Sequence, residues 1–233
     1  MLKITDADNF RRTLVGLCLI AAPLVGLVGG LILPPTPADT GGTLAVISEN
    51  SGSWLMANLL FILVFTLFVP ALLGLMHLLR GRSVVLGYIG GGLALLGNLF
   101  HVAVVGFALV QIPAAESSGT RSTELVDQMF ANTAFVVLLL MFLVPFCLGL
   151  IILMVTLWRA RVVPLWVTVC VVAGVVVDFF VENLSPDLFF ILLLVGFGWI
   201  GLKVLRMSDV EWSRASMEST KADTPAGHPA SAS

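Results

Sequence analysis

Charge is scarce in this chain: only 11% of its 233 residues are Asp, Glu, Lys or Arg, where a soluble domain carries about 25%. Cysteine is scarcer still. Cys18, Cys147 and Cys170 stand singly in apolar stretches with no C-x-x-C, which excludes a dithiol centre or a cysteine zinc site. Each is expected to be a small packing residue. The net charge of -2 gives no electrostatic footprint for nucleic acid.

Histidine is limited to His77, His101 and His228. Two histidines on adjacent helices would suit a b-type haem, but His77 lies about five residues from its turn and His101 about nineteen. At 1.5 Å per residue these depths differ by roughly 20 Å, so one iron cannot bind both. No H-E-x-x-H, G-x-S-x-G, Walker loop or dinucleotide fingerprint occurs. No catalytic residue, metal or cofactor is therefore assigned. An intramembrane metal-dependent hydrolase stays open as an alternative only because one deep histidine and two acids could just compose a site.

What the chain has in abundance is apolar side chains, 58% of residues with a mean hydropathy of +1.06. Six stretches reach the roughly 20 residues that span a bilayer, near 12–34, 54–79, 84–112, 128–158, 162–182 and 187–206. The runs are uninterrupted rather than alternating, which excludes a barrel. The expected fold is all-α, a polytopic membrane protein of six transmembrane helices over residues 1–206. Residues 207–233, rich in Ser, Ala, Thr and Pro, are expected to be a disordered tail. Arg11 and Arg12 precede the first stretch as in a signal peptide, but its length and the lack of a small-x-small site before "PPTPADTGG" predict a retained helix.

Eleven of the twelve basic residues fall at the termini or in the 80–82 and 159–161 turns, leaving only Arg121 opposite. The positive-inside rule then places both termini in the cytoplasm. Trp54, Trp158, Trp166 and Tyr88 fit interfacial belts. Residues 35–53 and 114–125 read as outer loops.

"ANLLFILVFTLFVPALLGL" (57–75) and "ANTAFVVLLLMFLVPFCLGL" (131–150) share A-N-x-x-F and V-P-x-x-L-G-L, and "GLKVLR" (201–206) echoes "GLMHLLR" (74–80). Three repeated hairpins would explain this, as would the mutual likeness of Leu-rich helices. The strings "VVLGYIG" (84–90) and "RARVVPLW" (159–166) resemble an uncharacterised bacterial family of six-helix integral membrane proteins, a domain of unknown function. The resemblance implies this topology and a bacterial inner membrane, and brings no activity.

Polar groups inside lipid are expensive and point to function or to interhelical hydrogen bonds. Gly90, Ala94, Gly97 and His101 fall on one stripe with Asn98 at its margin, and small residues admit a neighbouring helix. His101 is therefore expected to face the bundle, as a proton carrier or ligand contact, or else as a neutral imidazole bonded across helices. Asp178, at a depth within about 3 Å of His101 by residue count, is the acid to pair with it if their helices are neighbours. Glu182 would stand one turn further out, at the mouth of an outer-facing cavity or simply in interfacial water. Pro70 and Pro145 each precede a glycine by four residues and predict helix kinks, lining a cavity or merely shaping packing.

Two functional readings follow. One is a bundle that binds, senses or moves a small molecule, an ion or a lipid. The other is a non-catalytic scaffold or accessory subunit, assembled as a homo-oligomer or with a partner membrane subunit.

Overall fold

The computed structural model describes residues 7–79, 84–117, 119–180, 186–209 and 211–212. These residues form eight helices and no strand: α1 (Ala7–Ile32), α2 (Thr40–Glu49), α3 (Ser51–His77), α4 (Val84–Glu116), α5 (Thr120–Ala131), α6 (Thr133–Arg159), α7 (Leu165–Phe180) and α8 (Pro186–Arg206). Helices α1, α3, α4, α6 and α8 are long and apolar enough to cross a membrane, and α7 is a shorter apolar helix. The protein is an all-α polytopic membrane protein.

The six apolar helices pack in chain order. Helix α1 lies on α3, α3 on α4, α4 on α6, α6 on α7 and α7 on α8, and α8 returns to α1. Each hairpin expected from the repeat is thus a packed pair. Phe68, Phe146 and Phe197, from α3, α6 and α8, fill the interior, with ring centroids 6.5 Å apart for Phe68–Phe146 and 5.9 Å for Phe68–Phe197.

Glycine sets the closest approaches, because without a hydrophobic force between helices in lipid, close backbones carry the packing. A Cβ on Gly149 of α6 would meet the Ala94 nitrogen of α4 at 2.2 Å, and one on Gly97 would meet the Phe146 nitrogen at 2.4 Å. Gly74 of α3 instead makes room for a side chain, Val15 of α1, whose Cγ1 a Cβ would meet at 2.1 Å. The glycine of the V-P-x-x-L-G-L likeness therefore faces the partner helix in both hairpins, a side chain in one and backbone in the other, and to that extent the likeness carries over. The A-N-x-x-F likeness does not. Asn58 is buried inside α3 and donates to the Trp54 carbonyl at 2.8 Å, whereas Asn132 ends α5 and caps α6, accepting from the Ala134 N–H at 2.8 Å.

Two elements differ from the sequence expectation. The expected 35–53 loop contains α2, whose N-cap Asp39 accepts from the Gly42 N–H. The fourth apolar stretch, expected from 128, begins at Thr133, and the residues before it belong to α5. Helix α4 has 33 residues, about 50 Å at 1.5 Å per residue, and so overshoots a hydrocarbon core of about 30 Å. Its projecting end packs with α2 and α5 around Leu44, Ile47, Trp54, Ala115 and Val126. Trp54 is accordingly buried, its indole N–H donating to the Ala108 carbonyl at 2.9 Å, rather than lying in an interfacial belt. Trp158, Trp166 and Tyr88 are exposed near the opposite end.

That opposite end is the basic one. Arg12 pairs with Asp209 at 2.8 Å and donates to the Met207 carbonyl, tying the start of α1 to the segment after α8. Lys203 donates to the Val162 carbonyl at 2.6 Å. After α6 the chain turns through Arg161 at φ 57°; the Arg161 N–H bonds Trp158 and the Val162 N–H bonds Leu157, the double closure that usually recruits glycine. The near part of the expected tail is packed: Trp212 is buried against His77 with centroids 4.5 Å apart. Residues 213–233, including His228, lie outside the described residues.

Candidate functional site

The stripe Gly90, Ala94, Gly97 faces α6, and His101 continues it one turn on. The closeness of α4 and α6 at the glycines carries His101 between aromatic rings of both neighbouring helices. Its imidazole lies between Phe65 of α3 and Phe142 of α6, with centroids at 3.6 Å and 3.8 Å and tilts of 32° and 34°. Phe146 meets it edge-on at 6.2 Å. His101 thus points into the bundle as the stripe predicts, but its neighbours are aromatic.

Asn98 is fully buried one turn away, and its amide N–H donates to the Phe65 carbonyl at 2.8 Å. The bond crosses from α4 to α3 near Pro70, which cannot donate to the Thr66 carbonyl one turn back. The amide oxygen of Asn98 and the Nδ1 of His101 are buried with no hydrogen-bond partner. Leaving a buried polar group unpaired costs about 1–3 kcal/mol. Two such atoms one turn apart on one helix are neighbours by helical geometry.

Asp178 lies in the last turn of α7, and its side chain, like all of Glu182, lies outside the described residues. Helix α7 packs on α6 and α8, while α4 packs mainly on α6 and α3, and on α2 and α5 at its far end. The depth match from residue counts is thus not by itself a contact. Pro70 and Pro145 sit inside α3 and α6 as expected, but Pro23 in α1 and Pro113 in α4 are equally internal. In-helix proline is therefore no special mark of the Asn98–His101 centre. Among the described residues no three of His, Cys, Asp and Glu gather into a metal-sized group.

Cavities open elsewhere. One of about 290 Å³ lies between the C-terminal part of α4 and α5, lined by Phe107, Gln111, Met129 and Phe130 among others. Another of about 360 Å³ runs between α1 and α3 toward the basic end. Sequence reasoning placed neither, since the first needs α5 and the second needs Trp212 to fold back on His77.

The family model for a domain of unknown function, DUF4386, matches residues 14–204, and the chain belongs to that family. The match takes in all six apolar helices for most or all of their length and agrees with the resemblance carried by 84–90 and 159–166. No match was found among curated proteins or among solved structures.

Proposed function

We propose that the bundle binds a small, neutral, hydrogen-bonding solute between α3, α4 and α6, at Asn98 and His101. The observation that carries this reading is the pair of buried, unpartnered polar atoms, Asn98 Oδ1 and His101 Nδ1, whereas the buried Asn58, Thr156 and Thr168 each donate to a backbone carbonyl. A solute able to donate to the amide oxygen and bond the imidazole would relieve both. Phe65 and Phe142 hold the imidazole plane so that its edge is presented in one orientation. An ion is less suited than a neutral solute, because no charged side chain among the described residues is placed at the site. Receptor and carrier are both open to such a bundle. The Arg-rich end, by the positive-inside rule, belongs in the cytoplasm, which supports a bacterial inner-membrane protein with both termini inside. Asp178, in the last turn of α7, and Glu182, four residues on in the sequence, are the acids to test for a part in solute entry.

A second reading rests on a different observation. Asn98 bonds the α3 backbone while the neighbouring glycines lock α4 to α6, so the polar pair could serve packing alone in a scaffold or accessory subunit. Native mass spectrometry of protein extracted in mild detergent separates the two. A solute adduct in the wild type that is lost in both His101→Phe and Asn98→Leu, with Asp178→Asn as the test of the acid, supports the site. Adduct-free masses in all forms, with Asn98→Leu lowering stability by about 1 kcal/mol as the loss of its hydrogen bond to α3 should, would establish packing alone.

A further inference from the structure

We propose that the groove between α1 and α3 at the basic end binds one anionic phospholipid, its phosphate on Arg11 and an acyl chain along Leu14, Pro70 and Leu73. The groove, about 360 Å³, is lined by these residues and ends at His77 and Trp212. On α1, Arg11 and Leu14 are three residues apart, and on α3, Pro70, Leu73 and His77 follow at helical spacing. Each set therefore forms one face of its helix. From Pro70 to His77 the groove runs about 10 Å along the helix axis. Gly74, pressed on Val15, makes its floor without filling it.

The two adjacent arginines divide the work. Arg12 is committed to Asp209, the Met207 carbonyl and Asn9, which fixes the segment carrying Trp212. Arg11 is exposed and makes no ion pair or hydrogen bond among the described residues. Its guanidinium is always charged and its donor fork matches a phosphate. Below it the walls are apolar, with Leu14 and Leu73 open to the lipid side at 40% and 51% exposure. A cation at the membrane boundary above an apolar channel fits an amphiphile with a negative head, and the leaflet facing a basic end is the anionic one. Free phosphate would find no use for the apolar walls.

The test uses the full chain reconstituted with mixed phosphatidylglycerol and phosphatidylcholine, then extracted and examined by native mass spectrometry. One phosphatidylglycerol per protein should be retained in preference to phosphatidylcholine. Arg11→Gln should cut that preference about fivefold, the share of one basic residue near an anionic surface. Leu73→Trp, which fills the channel and leaves every charge in place, should lose the lipid as well. Arg159→Gln, at the same end but outside the groove, should retain it. Equal loss in Arg11→Gln and Arg159→Gln would show diffuse attraction and overturn the proposal, as would retention of free fatty acid instead or of no lipid at all. Unchanged elution and melting temperature in each variant confirm that the fold persists.

Discussion

Glycines that are alike in sequence are not alike in consequence. A Cβ at Gly149 would press on the Ala94 backbone at 2.2 Å, whereas one at Gly92 would meet nothing within 4 Å. Gly149→Ala must separate two backbones and should destabilise the protein by about 1–3 kcal/mol, as overpacking does. Gly92→Ala keeps the packing and restricts the unfolded chain, so it should stabilise by about 0.4–1 kcal/mol. Unfolding in mixed detergent micelles reads both, and opposite signs are expected. At this scale the sequence was informative where the signal is local. The small-residue stripe on α4 told which way His101 points. It could not tell what His101 meets, because Phe65 and Phe142 arrive from other helices and no spacing along α4 encodes them. The pairing with Asp178 came from depth alone, and equal depth fixes one coordinate of three.

The long apolar helices were legible because lipid demands length and hydropathy from each one separately. The two short helices α2 and α5 were not. Helix α5 has polar residues on most of its turns, and its apolar set (Leu125, Val126, Met129 and Phe130) has helical spacing that is easily lost beside the apolar run that follows. What separates α5 from α6 is Asn132, extended at ψ 132° with its side chain on the Ala134 N–H. Asn132→Ala should cost about 1 kcal/mol through the lost cap. Because α5 is held to α2 through Asp127 and Thr40 and by the Val126 cluster, hydrogen exchange should rise first in α5 and α2 and leave α3 and α6 protected. Uniform acceleration across the bundle would show that the outer layer does not unfold by itself.

For the whole molecule, the succession of helices accounts for the architecture. Sequential elements are usually neighbours in space, and each apolar helix packs on the one before it, an order that the hairpins suggested by the repeat had left open. Closure did not follow from it. That α8 returns to α1 depends on Gly16 and Gly201, each facing the other helix closely, and on Arg12 reaching Asp209. These contacts join residues nearly a full chain length apart, where pattern along the sequence is silent.

That closure leaves the ring without a privileged first helix. The order of the helices is cyclic, because the start of α1 and the segment after α8 are side by side at Arg12 and Asp209. Joining them through a flexible linker and cutting instead between Ala160 and Val163 would keep both new ends on the Arg-rich side. Such a permutant should insert and melt within a few degrees of the parent, with its cost limited to the Arg161 turn. A cut beside Gly119 would require an end to cross the bilayer, and it should fail to accumulate although every helix contact is the same.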